Sequence, residues 1–262
     1  MRRVKKWIAA ALALLGLAPA ALALQISQIE FDLVVEQGGE YTLSFLVRND
    51  SERPQAITVY LGDWDRDLDG TNRFYPPGTV ERSLASWLSV APSKLTLAPE
   101  EAQEIVAILR VPPVEEAELS GSYWGIIFVQ GQPRPIEQGG TTVMAIERFG
   151  VKVYATIAGT EAPAGAVTKL EAAPSDEGFQ VAIYYANTGN VHQRVSGKLL
   201  VVDRTGAVAT ELELPEFPIL PGGTRRIVAD LPALSRGIYQ LQALMDYGGE
   251  ALVAGVTVLR VR

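Results

Sequence analysis

Cysteine is absent from this 262-residue chain, and histidine occurs once, as His192. The first absence excludes disulfides, thiolate zinc sites, iron–sulfur clusters, thiol nucleophiles and a lipid-attachment cysteine. The second excludes any two-histidine metal site and leaves little room for a Ser–His–Asp triad. Basic residues are outnumbered, with 23 Lys and Arg against 30 Asp and Glu, and the formal net charge is −7. That balance argues against nucleic acid as a partner, because phosphate recognition needs clustered cations. No Gly-rich phosphate loop, nucleophile elbow or Ser-x-x-Lys pattern occurs. Paired carboxylates could serve glycoside hydrolysis, but nothing singles out two of the 30 acids.

The chain does have a secretory beginning. Arg2, Arg3, Lys5 and Lys6 precede an apolar run from Trp7 to Leu17, interrupted only by Gly16. Pro19 and the small-x-small pattern Ala21-Leu22-Ala23 follow. The apolar run of about eleven residues is short against the roughly 20 that span a bilayer. Residues 1–23 therefore read as a signal peptide cut after Ala23. Removing its four basic residues leaves 19 against 30 acidic, a net charge of −11. No second run of spanning length follows, so the expectation is a soluble protein in the periplasm or an equivalent extracytoplasmic space.

With 48% hydrophobic residues the rest of the chain can build a core. Its pattern is that of strands. Tyr41, Leu43, Phe45 and Val47 alternate with Thr42, Ser44 and Leu46, and Ile57, Val59, Leu61 and Val181, Ile183, Tyr185 repeat the period of two. Gly, Pro, Asn and Asp clusters bound these runs. No window of a dozen residues carries a helical stripe, although Val114 to Leu119 can form one turn. The predicted fold class is all-β, two tandem immunoglobulin-like sandwiches after a cleaved leader. The stretch Gly159-Thr160-Glu161-Ala162-Pro163-Ala164-Gly165 reads as a linker, dividing residues 24–158 from residues 166–262.

The halves share an order of landmarks. A strand ends in an Asn turn (Asn49 or Asn187), a Pro turn follows (Pro99 or Pro221), a strand ends in Val-Pro or Leu-Pro (Pro112 or Pro232), and Gly-x-Tyr opens the next (Tyr123 or Tyr239). A Tyr there can tie its hydroxyl to nearby backbone. The first half is longer between its Asn and Pro turns, and the surplus holds Asp63-Trp64-Asp65-Arg66-Asp67-Leu68-Asp69-Gly70. Asp65, Asp67, Asp69 and Gly70 match the opening of a calcium loop, but its twelfth position is Pro76 rather than a bidentate Glu. Two readings stand: a Ca²⁺ site completed from elsewhere, or an acidic hairpin tip turned by Asp-Gly. No other cofactor is expected. His192 reads as a solvated loop residue, and Glu115, Glu116 and Glu118 as a solvated acidic loop. Trp64, Trp87, Trp124 and Tyr123 read as packing aromatics in preference to a ligand surface.

The first half resembles the N-terminal domain of the PapD-like periplasmic pilus-assembly chaperones. The residues concerned are Val47-Arg48-Asn49-Asp50, Trp87-Leu88-Ser89-Val90-Ala91-Pro92, Leu97-Ala98-Pro99-Glu100, Val106 to Pro112, Gly121-Ser122-Tyr123-Trp124-Gly125 and Arg148 to Tyr154. The resemblance implies a non-catalytic assembly chaperone that lends an edge strand, near Val143 to Tyr154, to pilin-like or other exported β-rich subunits. The client-binding residues so implied are Val143, Ala145, Phe149, Val151, Lys152 and Tyr154. In that family a Lys of the last strand and an Arg of the first anchor the client's terminal carboxylate. Lys152 matches the Lys by position, but Ile26 to Val35 contains no basic residue, so the implied clamp is incomplete here. The same pattern also resembles immunoglobulin-like domains of cell-surface proteins. That similarity implies the alternative, a structural or adhesive envelope module without chaperone activity.

Overall fold

The computed structural model describes residues 24–138 and 140–262, so the expected leader lies outside the described residues. They form nineteen strands and no helix, and none of them is a helix long and apolar enough to cross a membrane. The first twelve strands are β1 (Leu24–Ile26), β2 (Glu30–Val35), β3 (Glu40–Asn49), β4 (Gln55–Arg66), β5 (Asn72–Tyr75), β6 (Leu88–Ala91), β7 (Lys94–Leu97), β8 (Ala102–Arg110), β9 (Ser122–Gly131), β10 (Arg134–Gln138), β11 (Thr141–Ala145) and β12 (Arg148–Ile157). They build the first sandwich. Its sheets run β1-β3-β8-β6 and β2-β12-β9-β4-β5, with β7 also on β4.

The period-two pattern explains the layers. In β3 the residues Leu43, Phe45 and Val47 are buried while Ser44, Leu46 and Arg48 face water. They meet Ile105 and Leu109 of β8 and, across the sandwich, Ile127, Val129, Val151 and Val153. The first strand is shared between the two sheets. β1 pairs antiparallel with β3, the chain crosses at Ser27–Ile29, and β2 then pairs in parallel with β12. Ser27 Oγ accepts the Leu46 N–H at 2.8 Å and fixes the crossing.

The second sandwich holds β13 (Gly165–Ser175), β14 (Gly178–Asn187), β15 (Gln193–Val202), β16 (Val208–Ile219), β17 (Thr224–Pro232), β18 (Gly237–Asp246) and β19 (Val253–Val261), in sheets β13-β14-β17 and β16-β15-β18-β19. Ile183, Tyr185, Leu199, Leu241 and Met245 form its core. The shared landmarks have a physical basis. Asn49 and Asn187 are both buried, and each bends its chain by accepting a nearby N–H on Oδ1 while donating Nδ2–H to loop carbonyls. The Tyr239 hydroxyl donates to the Ser235 carbonyl at 3.0 Å, as the Gly-x-Tyr pattern suggested. Its counterpart Tyr123 packs on Trp87, with Arg82 over its ring.

A third apolar cluster lies between the sandwiches. Trp64, Trp124, Ile126, Phe128 and Tyr154 cover the outer face of the β2-β12-β9-β4-β5 sheet, and Leu220 of the second domain packs onto them. Trp64 is completely buried and donates Nε1–H to the Gly125 carbonyl, while Trp124 donates to the Trp64 carbonyl. These aromatics pack as the sequence suggested.

Candidate protein-binding edge and interdomain cleft

β9 and β12 continue past Gly131 into the β10–β11 hairpin, giving one long bent ribbon. Among the described residues β11 forms a strand ladder only with β10, and Arg148–Val151 only with β9, because β2 begins opposite Lys152. The Lys152 N–H donates to the Ile29 carbonyl, the first bond of the covered stretch. A strand arriving along Arg148–Val151 would extend the line of β2. Such an edge presents free backbone donors and acceptors. It also carries apolar side chains in water: Val143, Met144 and Ile146 are all exposed.

The six residues expected to touch a client separate here. Val143 is exposed, and Ala145 and Phe149 are half-buried. Val151 and Tyr154 are corrected: both are buried in this protein's own packing. Val151 points into the first core by strand alternation, and Tyr154 lies beneath the second domain, stacked on His192 at 4.5 Å. Lys152 and everything after it are covered by β2, which shortens the free edge expected to reach Tyr154. Met144 and Ile146 were missed. Four consecutive apolar residues, Val143 to Ile146, were their signal, since a strand with one buried face needs only every second one.

Lys152 sits over the Trp64 ring, 4.3 Å from its centroid, and the Arg66 guanidinium is 5.2 Å from the same centroid. Burial, then the Arg66 charge, pulls the Lys152 ammonium down to about 8. Glu30 stands opposite Lys152 on β2, at the strand where the resemblance implied an Arg. Its carboxylate accepts from Arg194 of the second domain.

The acidic segment forms the end of β4 and its turn into β5. Asp65 takes a bidentate bond from Arg73, both contacts at 2.8 Å. Asp67 accepts the N–H groups of Asp69 and Thr71, closing the turn. Asp69 accepts from Arg226 of the second domain, and the Arg226 N–H donates to the Leu68 carbonyl at 2.7 Å. The three carboxylates therefore reach three different partners. Among the described residues no group of three or more metal-ligating side chains gathers here or elsewhere.

His192 is not a solvated loop residue. Its Nε2–H donates to Asp32 at 3.0 Å, Nδ1 lies 3.0 Å from Ser122 Oγ, and its own N–H donates to that oxygen. The hydrogen bond from His192 holds the Asp32 carboxyl below its usual value, against the effect of burial. The linker is equally engaged. Asn190 accepts from Ala162 N–H, donates to the Thr160 carbonyl, and gives its own carbonyl to the Ser122 N–H.

No protein-family model matches the chain, and no curated protein does. Solved structures do. The chain is similar to a chain of a chaperone–tip adhesin complex of CFA/I fimbriae biogenesis, at 11% identity and TM-score 0.48, covering 91% of this chain and 99% of that one. It is similar to a chain of the CsuC–CsuE chaperone–tip subunit pre-assembly complex of Csu pili from Acinetobacter baumannii, at 10% identity and TM-score 0.47, covering 90% and 98%. It is also similar to the YadV chaperone, at 13% identity and TM-score 0.44, covering 91% and 100%.

Proposed function

We propose that this is an exported, non-catalytic chaperone-like protein of the periplasm that binds surface or pilus subunits by edge-strand addition. The observation that carries the reading is the outer side of β11 and of Arg148–Val151, along which no strand pairs among the described residues, with Val143, Met144 and Ile146 exposed. An extended client segment would gain main-chain hydrogen bonds along that edge, and the apolar side chains would enter the client's open groove. Lys152, at the end of the free stretch, would meet a client carboxylate. Its lowered ammonium supports this role, because a desolvated cation gains more from an anion than a hydrated one does.

A photo-crosslinking amino acid placed at position 143, with position 208 of the second domain as control, tests the reading in the producing cell. Val143 and Val208 are both exposed valines. The expected result is one dominant adduct with an exported β-rich protein at position 143 and none at 208. Equal labelling at both positions, or adducts with wall glycan, would point instead to the adhesive envelope module.

A further inference from the structure

Strand alternation fixes what each residue of Arg148–Val151 offers a neighbour. Val151 points into the first core, so Arg148 and Gly150 belong to the outer face. Gly150 carries no side chain, and Ile126 and Phe128 lean into its space: a Cβ there would stand 2.5 Å from Ile126 Cδ1. Arg148 is therefore the one side chain that this stretch presents on that face. It is exposed, and Gln130 of β9 stands opposite it on the covered side.

The Arg148 guanidinium is held in place without spending its donors. Its carbon lies 4.8 Å from the Phe128 ring centroid and 5.4 Å from that of Phe74. Such stacking occupies the flat face of the fork and leaves its N–H edge open. Phe74 meets Phe128 edge to face at 5.2 Å, and Tyr60 leans on Phe128 at 5.2 Å, so the platform is braced. The same rings, with Pro76 and Pro77, line a cavity of about 290 Å³ beside the guanidinium. That volume lies at the floor of the range for a free small molecule, about 300 Å³, and suits one side chain of a bound protein. Among the described residues no carboxylate forms an ion pair with Arg148, and the neighbouring Glu147 accepts from Arg134 at 2.7 Å. A stacked fork with an open N–H edge, on a strand edge without a ladder, is complementary to a carboxylate.

We propose that Arg148 selects the client by pairing with an acidic side chain that stands opposite it on the added strand, the stem of that side chain lying against Phe74. The inference rests on the strand-addition reading of the same edge and names the residue that the edge prefers in its partner. Opposite charges facing each other across two strands stabilise the pairing, and like charges oppose it. The pair also fixes register, because a slip of one residue turns the acid to the other face of the sheet. Lys152 is four positions further on, about 13 Å along the strand, so a side chain opposite Arg148 does not meet it. The partner is an exported chain with an Asp or Glu inside its extended segment.

Calorimetric titration of the full chain with three peptides tests it. The probes are alternating Thr-Val peptides of about nine residues, with Glu, Gln or Lys at the centre. They are acetylated and amidated, so no terminal carboxylate is available to Lys152. The Glu peptide should bind about fivefold more tightly than the Gln peptide, the upper end for a cross-strand charge pair, and the Lys peptide most weakly. Added salt should shrink the difference. Arg148→Gln should bind the Glu and Gln peptides equally, with an unchanged melting temperature showing that it folds. Arg148→Lys, which keeps the charge without the fork, should retain part of the preference and stands in if Arg148→Gln does not fold. Equal binding of all three peptides by the unaltered chain overturns the proposal and leaves strand addition standing. A Glu preference that survives Arg148→Gln, or that disappears in Lys152→Met instead, assigns the carboxylate to another cation and also overturns it. Binding of none of the peptides counts against the edge itself, and the proposal falls with it.

Discussion

Two hairpins project from the first sandwich, and they meet opposite fates. The β4–β5 hairpin is rich in charge and is fastened to the second domain through Asp69, Leu68 and Gly70. The β10–β11 hairpin bears Val143 and Met144 in water, with Ile146 exposed just beyond it, and among the described residues no strand pairs with the outer side of β11. Ordinary patterning would assign the charged hairpin to solvent and the apolar one to a core. The reversal leaves apolar side chains, rather than charged ones, in water. Charge serves the fixed contact within the chain, and under the proposed function the apolar surface would serve the contact with a client.

The contrast can be broken most severely at the root of the fastened hairpin. Trp64→Ala should destabilise the protein by about 3–5 kcal/mol, read as a lower melting temperature, because it empties a fully buried site that joins β4 to Tyr154 and Leu220. The open hairpin should behave in the opposite way. Val143→Asp with Met144→Asp should change stability by less than about 0.5 kcal/mol, since both side chains are exposed. The pair should nevertheless lower client capture at least tenfold, as expected for charges placed in a desolvated groove.

Lys152 sharpens the boundary between the free and covered parts of β12. The unfolded chain keeps its proton up to 10.5, whereas the folded chain gives it up near about 8. Unfolding thus takes up a proton between those values, and stability should rise as pH climbs from about 8 toward 10.5. Lys152→Met should flatten that rise in a series of denaturant titrations, while weakening client binding at pH 7. The smallest effect is expected at the clasp. Asp69→Asn removes one exposed partner of Arg226 and should cost under about 1 kcal/mol, diminishing with added salt. A loss as large as that of Trp64→Ala would show that charge, not the aromatic cluster, joins the domains.

Alternation made the strands readable from the sequence, because Leu43, Phe45 and Val47 can only be buried together on one face of an extended chain. The paired Asn turns were readable for a local reason, since their bonds reach only two to four residues along the chain for the N–H and Val191 contacts. The division of the first strand was not. Leu24 to Val35 offers apolar residues to both sheets, and only the pairing with β12 reveals the crossing at Ser27. His192 was misread because its partners Asp32 and Ser122 lie 160 and 70 positions away. Val151 and Tyr154 fit an edge strand by position, but the parallel cover of β2 and the second domain are non-local and leave no mark in the strand itself.

The way β12 leaves the first sandwich has a mechanical consequence. At Ile157 its N–H donates to the Gly121 carbonyl, and the chain passes into the segment held by Asn190, whose own carbonyl bonds back to Ser122. A load applied at the free edge therefore travels along β12 in line with the strand. It reaches the second sandwich with little slack to take up. Hydrogen bonds loaded in this direction share the force, whereas bonds at a frayed end break one after another. A partner tugging on the open hairpin would pull on both domains at once.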